Sequence, residues 1–242
     1  VFSVSGGLQS LVDALAAAIG SENIILNAEN TQITPHEDRY QISATATDGD
    51  AICIESSKVV STAGAYELPS LLPFLGADEL APITNLRYAK VAQVVAGFRE
   101  WNGIPLNGFG GLIPSKERRK VLGILFPSSI FPNRAPEGGA LLSIFAGGIK
   151  NEAVYNLSDE ELKQVAMREI SETMRTNSKP DMLEVFRYPH AIAQYERSSE
   201  ERFAAIEKIQ TGCPGLILAG NIRDGIGMAD RVKQGVNIAK AL

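Results

Sequence analysis

The chain has 242 residues, 45% hydrophobic and 21% charged, with a mean hydropathy of +0.00, which reads as one large or two small folded domains with length for a real core. A net charge of −5 and an isoelectric point near 5.2 speak against broad nucleic-acid binding, and no apolar run reaches the roughly 18 residues that span a membrane. Two cysteines (Cys53, Cys213) and two histidines (His36, His190) exclude a disulfide framework and make a His-rich zinc site or a Ser-His-Asp triad a poor fit, so a reducing cytoplasm is the default compartment.

The first residue is Val1 rather than Met. Val1-Phe2-Ser3-Val4-Ser5 reads like the inside of a folded unit, so a fragment or a chain that has lost a leader is expected. Ser5-Gly6-Gly7 precedes Leu8, Leu11, Val12, Leu15, Ala18 and Ile19, one face of an amphipathic helix closed by Gly20. Gly6-Gly7 is either a tight entry into that helix or a close backbone approach to a ligand or another element. From Asn23 to Ala63 the pattern is β. Asn23–Leu26 is a short strand, Gln41–Thr47 alternates, Asp48-Gly49-Asp50 is a turn, Ala51–Ile54 returns as its hairpin partner, and Lys58–Gly64 is a buried strand entering a turn. Asp48 and Asp50 fit a solvated hairpin tip better than a metal site.

Texture changes at Pro82, the candidate domain boundary. Tyr88–Phe98 is a dense apolar strand. Gly108–Pro114 is glycine-rich, and Lys116–Lys120 is a basic, solvated turn. Val121–Phe126 and Ala140–Ala146 are strands around the proline-fixed loop Phe131–Pro136. The middle therefore reads as a curved antiparallel sheet. Ser158 with Glu161 makes a capping box for an amphipathic helix to about Arg175. Asp181–Arg187 is a further strand, Tyr188–Tyr195 is irregular, and Ser198 with Glu201 caps a last helix.

The closing stretch is LILAGNIRDGIGMADRVKQGVNIAKAL, residues 216–242. A short apolar strand ends at Gly220-Asn221, a glycine-bearing turn follows (Asp224-Gly225-Ile226-Gly227), and a helix begins with Val232, Val236 and Ala239 on one face. Strand, glycine turn and helix start form a ready anion site, because the first helical N–H groups lack internal partners and the dipole favours negative charge there. The same pattern is also a plain strand–turn–helix of an α/β core, and Gly-x-Gly alone does not separate the two.

Taken together, several stretches resemble one family, the flavin-dependent protoporphyrinogen oxidases of the amine-oxidase superfamily. They are Gly6–Leu11 with its helix, Val59–Ala63, GFGGLIPSKE (residues 108–117), VLGILFPSSIFPNRAP (121–136) and LAGNIRDGIGMADRVKQG (218–235). The resemblance runs over nearly the whole chain. It implies an α+β fold of amine-oxidase type, incomplete here. Residues 1–82 and 201–242 would be α/β-like parts of an FAD-binding domain, and 83–200 part of an antiparallel-sheet substrate domain. It implies FAD as cofactor of the whole protein and oxidation of a porphyrinogen, protoporphyrinogen IX or coproporphyrinogen III, to the porphyrin of heme biosynthesis, with O₂ or another acceptor reoxidising the flavin. Homodimerisation and peripheral contact with an inner membrane are left open.

By position, the resemblance assigns Ile226, Gly227 and Met228 to backbone contact with the flavin end of FAD, and Gly220, Asn221 and Gly225 to shaping that approach. Thr31 falls at an adenine-side backbone contact. Phe109 and Leu112 would pack against the tetrapyrrole, and no catalytic side chain or metal is implied. Departures are visible. The family stretch Ile-Pro-Gln-Tyr followed by Gly-His is here Ile192-Ala193-Gln194-Tyr195 and then Glu196-Arg197, and Arg231 stands where the family often has Cys. The Gly-x-Gly-x-x-Gly that grips a pyrophosphate after a strand is not in this sequence, so the chain alone is expected to hold no FAD and to be inactive. The alternative is a stand-alone, non-enzymatic module binding a tetrapyrrole or a partner on the Gly108–Leu112 loop.

Overall fold

The computed structural model describes residues 3–242, so the expectation for Val1 and Phe2 lies outside it. The chain forms two compact units, one taking the segments up to Arg87 and from Ala193 to Leu242, the other Tyr88–Ile192. The chain thus crosses between units at Arg87–Tyr88 and Ile192–Ala193. Pro82, the expected boundary, lies inside a helix, and residue 200 lies inside another. Composition marks such crossings poorly, because here one coincides with the start of an apolar strand and the other with the end of a mixed one.

The first segment opens with α1 (Gln9–Ile19), ended by Gly20 at φ 89°, whose N–H donates to the Ala16 carbonyl at 3.0 Å. The 3.6-residue period is present, but no residue of α1 is buried, and Leu8, Val12, Leu15 and Ile19 remain exposed. No strand forms at Asn23–Leu26. A short 3₁₀ turn (Ser21–Asn23) is followed by exposed Ile25 and Leu26. An apolar run becomes a strand only where a neighbour completes its backbone hydrogen bonds, and the described residues supply none there.

β1 (Glu29–His36), β2 (Arg39–Thr45) and β3 (Ala51–Ser56) make an antiparallel meander. Gly49 sits at φ 89° in the second turn, and the Asp48 side chain accepts from the Asp50 N–H at 3.2 Å, a self-satisfied hairpin tip. β4 (Val59–Ser61), α2 (Leu68–Leu71) and α3 (Ala77–Thr84) complete the segment.

The second unit is a five-stranded sheet with helices. Its elements are β5 (Tyr88–Phe98), β6 (Gly110–Leu112), β7 (Val121–Leu125), α4 (Pro127–Ile130), β8 (Ala140–Gly147), α5 (Glu152–Tyr155), α6 (Asp159–Met174) and β9 (Met182–Ala193), in sheet order β6-β7-β8-β5-β9. β5 and β8 pair antiparallel from Val91↔Gly147 to Phe98↔Ala140. Ala92, Val94, Ala96, Phe98, Leu142 and Ile144 of those strands form a core with Leu162, Val165, Ala166 and Ile170 of α6. The Ser158 box starts α6: the Ser158 N–H donates to Glu161 at 2.8 Å and the Glu161 N–H to Ser158 Oγ at 3.3 Å.

β9 corrects the expectation of an irregular Tyr188–Tyr195, since it continues unbroken to Ala193. It is the edge of the sheet, paired on one side only, where a proline is tolerated. His190 packs edge-on against Tyr88 of β5 with ring centroids 5.4 Å apart.

The closing segment holds α7 (Ser199–Gly212), β10 (Leu216–Leu218) and α8 (Met228–Ala241). α7 packs on α3 in the first unit. Ser198 precedes α7 but makes no side-chain cap, because its own backbone is already helical (φ −66°, ψ −2°). β10 pairs parallel with β4, Leu216↔Val59 to Leu218↔Ser61.

Candidate functional site

The turn between β10 and α8 is built from its glycines. Gly220 sits at φ 84°, and a Cβ there would meet the Thr62 carbonyl oxygen at 2.7 Å. Asp224 (φ 60°) and Gly225 (φ 95°) are both left-handed, and a Cβ on Gly225 would meet the Asp230 carboxylate at 2.4 Å. Two left-handed residues in succession turn the chain back on itself and bring several carbonyls to one side.

Those carbonyls are collected by side chains of the same unit. Arg231 Nη1 donates to the Gly220 carbonyl and to Gln234 Oε1 (2.8 Å), while Nη2 donates to the carbonyls of Arg223 (2.9 Å) and Gly225 (2.7 Å). Arg202, only 2% exposed, donates to the Ile222 carbonyl at 2.8 Å and to Ser199 Oγ at 3.1 Å. The Tyr195 hydroxyl lies 3.1 Å from the carbonyl oxygens of both Asn221 and Gly225 and accepts from the Gly225 N–H at 3.0 Å. Burial holds this phenol above its ordinary pKa, so it keeps its proton at neutral pH. Gln234 accepts from the Gly220 N–H at 2.9 Å and donates to Asp224 at 2.8 Å.

The amides of the turn are used unequally. Gly227 donates to Asp230 Oδ2 at 3.0 Å, and Gly225 to Tyr195. The amides of Ile226 and Met228 donate to nothing among the described residues, and both residues are exposed. Of the three amides expected to face a ligand, then, two are free donors and the third is held by an internal cap. Met228 opens α8, so its amide also carries the positive end of the helix dipole.

The face of α8 is corrected. Val232, Val236 and Ala239 are exposed, and the buried position is Gln234 with Arg231 beside it. The inward face is polar because what it meets is turn backbone and the Asp224 carboxylate. Arg202 and Gln234 carry no sequence signal: a polar residue on a helix looks solvated until its partner's position is known.

Thr31 lies where the register of β1 on β2 shifts between Glu29 and Gln32, a bulge whose unpaired backbone can contact a ligand. It lines a cleft of about 460 Å³ with Asn30, Ala63, Glu67 and Leu71. Gly220 and Asn221 line a different, more apolar cleft of about 560 Å³ with Thr62, Arg231 and Ile238. The first unit therefore gathers Gly220, Asn221, Gly225, Ile226, Gly227 and Met228 in one turn, with Thr31 in a separate cleft.

Phe109 and Leu112 belong to the second unit. Leu112 is on β6 and 84% exposed; Phe109 is 56% exposed, with its carbonyl accepting from the Phe126 N–H at 2.9 Å. Neither is a core residue, so both are open to an apolar ligand. The basic turn is only partly solvated, as Arg119 pairs with Glu169 (2.7 Å) and Glu172 (2.8 Å) of α6. Among the described residues no group of three His, Cys, Asp or Glu side chains could hold a metal, and no helix is long and apolar enough to cross a membrane.

The chain is 29% identical to the mitochondrial protoporphyrinogen oxidase of Nicotiana tabacum over 98% of its own length and 50% of that protein's. It is 22% identical to the coproporphyrinogen III oxidase of Bacillus subtilis (strain 168), over 96% of this chain and 49% of that one. The crystal structure of a candidate protoporphyrinogen oxidase from Exiguobacterium sp. 255-15 superposes with a TM-score of 0.82 at 21% identity, covering 97% of this chain and 50% of the other. The chain thus spans about half the length of the curated relatives it matches. The profile of the family described as flavin containing amine oxidoreductase matches residues 1–242, and the chain belongs to that family.

Proposed function

We propose that this chain is part of an FAD-dependent oxidase that converts a porphyrinogen, protoporphyrinogen IX or coproporphyrinogen III, to the porphyrin. The single observation that carries the reading is the likeness of almost the whole chain to both kinds of enzyme. The residues present suit a flavin at one end. Ile226 and Met228 offer two free backbone donors at a helix start, suited to an electron-rich ring edge. Thr31 offers bulge backbone on the adenine side. When bound, FAD would supply hydride acceptance, and its reoxidation by O₂ or another acceptor after each of three two-electron steps would take a porphyrinogen to the porphyrin. The chain's own part is to bind, orient and exclude water. The two donors fix the ring edge, while Phe109 and Leu112 supply apolar wall for a flat tetrapyrrole.

The test is expression of the coding sequence with its upstream region, followed by flavin absorbance and the growth of porphyrin fluorescence from each porphyrinogen. Flavin loading with turnover of one substrate is the expected result. Porphyrin binding without flavin or turnover would instead favour the non-enzymatic tetrapyrrole-binding module, for which the exposure of Phe109 and Leu112 is the supporting observation.

A further inference from the structure

We propose that Arg231 is a positioning residue: its guanidinium gathers the carbonyls of Gly220, Arg223 and Gly225 into one clamp and thereby leaves the Ile226 and Met228 amides free to donate.

With Asp224 and Gly225 both left-handed, the carbonyls of residues 220, 223 and 225 converge. Converging carbonyl dipoles repel, so this backbone path needs a donor between them. A guanidinium is the side chain suited to the task, with up to five N–H groups in a rigid plane and a charge that burial in the turn does not remove. Arg231 uses both terminal nitrogens fully, on three carbonyls and on Gln234 Oε1. Its Nε is buried without a partner among the described residues. The side chain is thus placed for the carbonyls and not for its own complete satisfaction.

Two further groups brace the same path. Gln234 joins the Gly220 amide to the Asp224 carboxylate. The Tyr195 hydroxyl lies within reach of the Asn221 and Gly225 carbonyls and takes the Gly225 amide. Each removes from circulation a group that could otherwise satisfy a neighbouring amide. With the carbonyls held by Arg231, Tyr195 and Arg202, and with Gly225 and Gly227 already donating, the amides of Ile226 and Met228 are left free to donate to a ligand. A lysine would not serve, because a compact ammonium cannot span three carbonyls with fixed geometry.

What those amides would meet rests on the flavin reading above; the clamp itself does not. The test therefore needs no flavin: amide hydrogen exchange read by NMR on the 242-residue chain, for the native sequence, R231K and R231M. Lysine keeps charge and stem but loses the fork, and methionine keeps only the stem. In both variants exchange at Gly225 and Gly227 should accelerate at least about tenfold. The Ile226 and Met228 amide shifts should move, while protection in β1–β3 and α6 stays native. Native protection of the turn in R231M, or its restoration by R231K, overturns the proposal. Should R231M unfold the unit, R231K decides. A loosened turn with β1–β3 intact supports the clamp, and loss of β1–β3 protection as well overturns it, since Arg231 would then hold the unit and not the turn. If the clamp behaves as described but the longer protein loads no flavin, the flavin reading fails and the clamp stands.

Discussion

A single carboxylate shows how a residue's chemistry follows from its place. The Ser158 hydroxyl and backbone N–H both reach Glu161, and these hydrogen bonds hold the Glu161 carboxyl below its ordinary pKa. A carboxyl lowered in the folded state stabilises the fold above its unfolded pKa, and that contribution is lost as pH falls through the folded value. E161Q should therefore flatten the acid limb of stability against pH and leave the neutral-to-basic range parallel to native. S158A removes the hydroxyl partner and should cost about 1 kcal/mol at neutral pH by urea denaturation. An unchanged acid limb in E161Q would mean the box is not formed in solution. Sequence showed this pair plainly, because a capping box is local. Arg202 and Gln234 were invisible for the opposite reason, since their partners are backbone atoms in the turn that the fold brings to them.

At the scale of elements, periodicity and burial part company. α6 and α1 both carry an apolar stripe, yet Leu162 is fully buried and Val12 is 56% exposed. L162A in α6 should cost roughly 2–5 kcal/mol, while V12A in α1 should stay within about 0.5 kcal/mol. Equal losses in the two helices, measured as shifts in denaturation midpoint, would show that α1 is packed in solution. β9 makes the complementary point. Pro189 and a mixed pattern argue for irregularity, but an edge strand, paired on one side only, accommodates a proline. In α8 the apolar stripe is exposed and the polar one turned inward, because the neighbour it meets is a loop of carbonyls.

At the scale of the molecule, one family profile covers the whole chain, yet the chain spans about half of its curated relatives. The glycine fingerprint that would grip a pyrophosphate is not in the 242 residues. On the proposed reading, two free amides and a bulge would have to offset the full entropy of immobilising a dinucleotide, a cost estimated at about 4–15 kcal/mol. Titration of this chain with FAD, followed by flavin fluorescence quenching, should show no saturable binding at micromolar concentrations. A yellow preparation of the 242-residue chain would contradict that.

The sequence alone determined what is local and repetitive: the strand at Tyr88–Phe98, the hairpin tip at Gly49, the α6 cap, and the glycine turn before α8, together with the stretches that resemble its family. Each depends on neighbours along the chain or on a fixed backbone need. Only the tertiary structure decided the rest: which apolar stripes are buried, where the chain crosses between units, and which amides of the turn are free. Those outcomes depend on partners far along the chain. Tyr195, Arg202 and Arg231 acquire their roles only when three separate stretches meet at one turn.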